Sequence, residues 1–107
     1  MTIREIIARL REIEAEESAI VGEACALQSW LRARNPESTN HAISLLTHLI
    51  PEVNSERGRL RALIVKLSKR DGDTVCDESW ESVVTIPAER LLDYRASLTH
   101  AKQNQYD

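Results

Sequence analysis

The sequence predicts an all-α fold: a long antiparallel helical hairpin, coiled-coil-like, followed by a shorter C-terminal third helix. Three observations predict it. Two stretches of the 107-residue chain carry apolar residues at alternating three- and four-residue steps. A short polar segment separates them. Glycine and proline number only three each. An apolar repeat averaging 3.5 residues over several turns is the seam of a supercoiled helix pair. So few turn residues argue against a sandwich of short strands. With no Phe, two Trp and two Tyr, any core is aliphatic. The length suits a single domain spanning 1–107.

Helix 1 is expected over 2–34, with its seam at Ile3, Ile6, Leu10, Ile13, Glu17, Ile20, Ala24, Leu27 and Leu31. Asn35 and Pro36 stop it, and Ser38 or Thr39 caps the next helix by accepting a first-turn N–H. Helix 2 is expected over 38–70, with its seam at Ala42, Leu46, Leu49, Val53, Glu56, Leu60, Leu63 and Leu67. Pro51 removes a backbone donor and clashes with the preceding turn. The seam nevertheless keeps its phase from Leu49 to Val53, so a kinked continuous helix is expected, with a split at Pro51 as the alternative.

A short connection makes the helices antiparallel neighbours, and facing residues then have a constant index sum. With a sum of 73, Ile6 faces Leu67, Leu10 faces Leu63, Ile13 faces Leu60, Ile20 faces Val53, Leu27 faces Leu46 and Leu31 faces Ala42. The one acidic interruption of each seam then falls in one layer, Glu17 against Glu56. One flank of the seam pairs Ile7 with Ile64, Glu14 with Arg57, Val21 with Ile50 and Gln28 with Ile43. The other pairs Arg9 with Lys66, Glu16 with Arg59, Glu23 with Glu52 and Trp30 with Leu45. The first is mostly apolar and calls for a cover; the second is mostly charged and reads as solvated.

After residue 70 the periodicity stops. Residues 71–86 read as an irregular acidic arm, with the β-branched SVVTI of 82–86 extended. Its D-G-D start lacks the later ligands of a calcium loop, since Val75, Cys76 and Ser82 stand where that loop needs an oxygen ligand, Gly and Glu. Helix 3 is expected over 87–103, with Pro87 at its first position and an apolar face of Leu91, Leu92, Tyr94, Leu98 and Ala101. The tail from 104 is expected to fray. Being shorter, helix 3 can cover only part of the apolar flank.

The bulk numbers narrow the function. A net charge of −3 and a pI near 5.6 give no general attraction to nucleic acid. No run reaches the ~18 apolar residues of a membrane span, and the charged start MTIREIIARLREIE does not read as a signal peptide. Cys25 and Cys76 lack metal-ligand spacing and read as reduced thiols in a cytoplasm, Cys25 buried or half-buried beside the seam and Cys76 more exposed. No phosphate loop, zinc spacing or nucleophile triad is present, and no cofactor or metal is expected.

Two carboxylates in one core layer need an answer: a proton, an arginine or a metal ion. Glu14 and Arg57 lie beside Glu17 and Glu56, and Arg95 on helix 3 is a further partner, so a polar layer fixing register is expected. Glu14 and Glu17 resemble the first half of the E-x-x-E and E-x-x-D pattern by which all-α nucleotide pyrophosphohydrolases hold Mg²⁺. Glu52 and Glu56 are four apart with no Asp, so the second half is missing. An Mg-dependent nucleotide hydrolase is therefore a second alternative to the preferred reading. The first is a nucleic-acid accessory protein using Arg57, Arg59, Arg61, Lys66, Lys69 and Arg70, which are expected instead to neutralise against the glutamates of helix 1.

The preferred reading is a small non-enzymatic protein-binding module. It self-associates or docks on a larger complex as an inhibitor or adaptor, of the kind common among phage and mobile-element accessory proteins. Ile7, Val21, Ile43, Ile50 and Ile64, with Trp30 as an aromatic anchor, are the expected partner surface.

Overall fold

A computed structural model describes residues 1–34 and 41–104. Helix α1 spans Ile3–Arg34, α2 spans His41–Ser68 and α3 spans Glu81–Gln103, with one 3-10 turn, Glu78–Trp80, leading into α3. The expected stop at Asn35 and Pro36, the caps Ser38 and Thr39, the first residues expected of helix 2 and the tail from 105 lie outside the described residues.

The two long helices are antiparallel and pack closely, and the shorter α3 lies against both. The molecule is a rod of 54 × 21 × 14 Å. The seam is where the alternating spacing puts it. Ile3, Ile6, Leu10, Ile13, Glu17, Ile20, Ala24 and Leu31 are buried on α1, and Ala42, Leu46, Leu49, Val53, Glu56, Leu60 and Leu67 on α2. Leu27 and Leu63 are half-buried. Among the described residues there is no strand, only an isolated bridge between Thr2 and Val75.

Helix α1 starts on a capping box: the Glu5 N–H donates to Thr2 Oγ1 at 3.2 Å, and the Thr2 N–H donates to Glu5 Oε1 at 3.3 Å. The connector after α2 completes this cap. The Ile3 N–H donates to the Thr74 carbonyl and the Arg4 N–H to the Gly72 carbonyl, each at 3.0 Å. Two N–H groups that no helical turn could satisfy are thereby paired. The Cys76 N–H donates to the Met1 carbonyl at 2.7 Å, which ties the chain's start to the arm.

Helix α2 runs unbroken through Pro51, whose ring is exposed. The expectation for helix 3 needs correction. It begins at Glu81 rather than 87, so the irregular arm is shorter than 71–86, SVVTI is helical, and Pro87 is a buried interior residue rather than the first. The start is set by Asp77, whose side chain accepts from the Ser79 N–H at 3.0 Å, with Glu78 and Glu81 at the positive end of the turn. Val83 and Val84 pack against the core. A β-branched residue costs a helix only a few tenths of a kcal/mol, and burial outweighs that.

The side on which α3 sits is a second correction. Arg95 pairs with Glu16 and Lys102 with Glu23, each at 2.8 Å. Both steps are seven residues, so α3 runs parallel to α1, along the charged flank. The groove between them is lined by Glu16, Ala19, Ile20 and Glu23 facing Arg95, Leu98, Thr99 and Lys102. The apolar flank expected to lie partly under the third helix is on the other side of the hairpin.

Candidate functional site

Two features stand out: an acidic layer in the core and a helical flank that α3 does not cover. In the layer, Glu17 is 0% exposed and Glu56 1% exposed. Glu56 is answered twice on one oxygen: Oε2 accepts from Arg59 Nη2 and from Arg90 Nη1, both at 2.9 Å. Glu14, one turn before Glu17, is also answered twice, by Arg57 Nε at 3.1 Å and Arg61 Nε at 2.9 Å. Glu17 lies between these clusters, and among the described residues neither of its oxygens has a hydrogen-bond partner. Burial, then the charges of Glu56 and Glu14, push its carboxyl up to about 7, against a smaller opposing pull from Arg57 and Arg59. Tyr94, buried on α3, is pushed up to about 12 by burial and by Glu56, Glu52 and Glu17, so it stays a neutral phenol at ordinary pH.

The polar layer thus contains Glu14, Arg57 and Glu56 as the sequence placed them, but not Arg95. Arg95 reaches Glu16, and Arg90 supplies the arginine from α3. The inner stripe of α3 is Pro87, Leu91, Tyr94, Leu98 and Ala101. At ~100° per residue, Arg95 follows Tyr94 toward α1, while Arg90 precedes Leu91 toward α2. The same turn carries Leu92 off the apolar face, where it is 60% exposed.

On the open flank, Ile7, Val21, Ile43, Ile50 and Ile64 are half-buried and packed against the core. Gln28 Nε2 donates to Thr47 Oγ1 at 3.0 Å across this flank, and Glu14 with Arg57 bridges it lower down. Trp30 is not part of the stripe. It lies half a turn from Val21, on the α3 side of α1, 42% exposed with the Arg34 guanidinium 4.6 Å from its ring centre.

The basic segment is partly engaged within the fold. Arg57 and Arg61 hold Glu14, Arg59 holds Glu56, and Arg70 stacks 5.2 Å from the centre of the Trp80 ring. Lys66 and Lys69 are exposed. The cysteines are exchanged relative to expectation: Cys25 is exposed, and Cys76 is partly covered beneath the Trp80 turn. Cys25 follows Ala24 by one residue, which turns it out of the seam. Among the described residues no three His, Cys, Asp or Glu side chains converge as metal ligands, and no helix is long and apolar enough to cross a membrane.

Two features were missed at the sequence level. T-I-R-E at 2–5 has capping-box spacing, and D-E-S-W-E at 77–81 has a cap followed by acids. Both signals were available. Compared with protein-family models, with curated proteins and with solved structures, the chain matches none.

Proposed function

We propose that this protein is a non-enzymatic binding module that docks through the open flank of its hairpin. In the simplest arrangement it docks on a second copy of itself; the other occupant is a larger protein complex that it inhibits or adapts. The observation that carries the reading is the placement of α3. It covers the charged flank, and among the described residues no further helix lies over Ile7, Val21, Ile43, Ile50 and Ile64. An apolar stripe along two long helices gains roughly 25 cal/mol per Å² when a further helix pair covers it. Two free thiols fit a reducing cytoplasm.

The test is molar mass in solution, measured on the native chain and on Ile50→Asp/Ile64→Asp. The native chain is expected at twice its 12.1 kDa and the double variant at the monomer mass with unchanged helicity. A dimer that survives both substitutions removes the flank from the interface. A native monomer removes self-association.

A further inference from the structure

The acidic layer points to a device independent of the docking flank. Glu17 lies among charged and polar side chains of all three helices, and among the described residues none of them hydrogen-bonds it. Glu14 lies on its own helix, tied to Arg57 and Arg61. From α2 come Glu56, Arg57 and Arg59, with Glu56 already held by Arg59. From α3 comes Tyr94, a neutral phenol, while the arginines of α3 at the rim of this layer are engaged elsewhere, Arg90 on Glu56 and Arg95 on Glu16. A protonated Glu17 is tolerated there as a small polar group. An ionised one has two desolvated oxygens, two carboxylates nearby and no donor.

An ionised Glu17 can recover water or an arginine only if one element yields. The hairpin helices interlock on both sides of the layer, through Ile13 and Leu60 below and Ile20 and Val53 above, all buried. Helix α3 contributes five buried residues in total. Its tether at this layer is Arg90 on Glu56 and Arg95 on Glu16, both arginines 48% exposed. Parting α3 therefore exposes the least apolar surface for the water and the Arg90 guanidinium that Glu17 gains. We propose that Glu17 is a proton-operated latch: taking up a proton closes α3 onto the hairpin, and losing it lets α3 part from this layer.

The expected signature follows from linkage. Opening is coupled to one proton, so the open fraction rises about tenfold per pH unit between the ordinary glutamate range and about 7, then levels off. Amide hydrogen exchange on the full chain, corrected for the intrinsic pH dependence, reads this directly. In the native protein, α3 protection should fall about tenfold per unit from pH 5 to 7 and stay below that of the α1 and α2 seam amides throughout, which report whole-molecule unfolding and share the proton-linked slope. In Glu17→Gln the α3 profile should be flat at unchanged helicity. Glu17→Met is a second neutral reference should the amide fold poorly. Equal slopes in the native and neutral variants overturn the latch. Equal protection of α3 and the hairpin seam at every pH overturns it too, because α3 then opens only when the whole molecule unfolds. Carbon-13 carboxyl NMR of the native chain must also show a glutamate titrating near neutrality; without one the proposal fails.

Discussion

The hairpin has two flanks of opposite character, and the third helix covers the one that looks less in need of cover. The charged flank carries Glu16 and Glu23, and α3 lies along it; the other carries Ile7, Val21, Ile43, Ile50 and Ile64, and α3 leaves it open. The difference lies in the rims. Both flanks offer a groove between two helices for an apolar stripe. The edges of the α3 stripe are cationic, with Arg90, Arg95 and Lys102, and they meet Glu56, Glu16 and Glu23. On the open side the same edges would meet Arg57 and Arg61, which crowd around the single carboxylate of Glu14. Each exposed ion pair is worth little, up to about 1 kcal/mol. Yet a few such pairs on the covered side, with the repulsion avoided on the other, favour the charged flank although its groove is the less apolar one. Apolar burial makes a third helix bind; charge decides where it binds.

Substitutions on the two sides sharpen the comparison most strongly. Leu91→Ala removes a side chain that is 2% exposed at the centre of the α3 contact. It should lower stability by about 4 kcal/mol in urea denaturation. Ile50→Ala, on the open flank, should cost about half as much or less. Equal losses would mean that the open flank is as fully packed as the covered one.

Next in size is the pH dependence set by Glu17. Its folded-state value, about 7, lies above the ordinary 4.5, so the folded chain binds the proton more tightly than the unfolded chain. The stability this confers is fully present below about 4.5, falls as pH rises through that window, and is gone above about 7. The amount is about 3 kcal/mol. Urea midpoints of the native chain and Glu17→Gln, compared at pH 5 and pH 8, should show the variant gaining relative to the native chain at the higher pH. A constant difference would place the carboxyl in contact with water.

Smaller effects probe the start of α1 and the rim charges. Thr2→Ala removes the hydroxyl that caps Glu5 and should lower stability by about 1 kcal/mol, read as a shift in thermal midpoint. Glu16→Lys and Glu23→Lys reverse the rim that faces Arg95 and Lys102. Each should weaken the α3 contact by about 0.5 kcal/mol, and 1 M salt should shrink the effect. No salt dependence would leave rim charge without a part in choosing the flank.

The amino-acid order by itself determined the helical class, the phase of both seams, the register that pairs Ile20 with Val53, and the coincidence of Glu17 with Glu56. Those properties repeat every three or four residues along one helix or one helix pair, so they survive without knowing what packs outside. It also contained the caps at Thr2 and Asp77, which local spacing reveals. Only the tertiary structure decided which flank α3 takes, which arginine answers Glu56, that SVVTI joins a helix, and that Glu17 has no hydrogen-bond partner among the described residues. These are contests between nearly equal options. Arg90 against Arg95 and strand against helix for two valines each differ by about 1 kcal/mol or less, and packing of the whole molecule settles them.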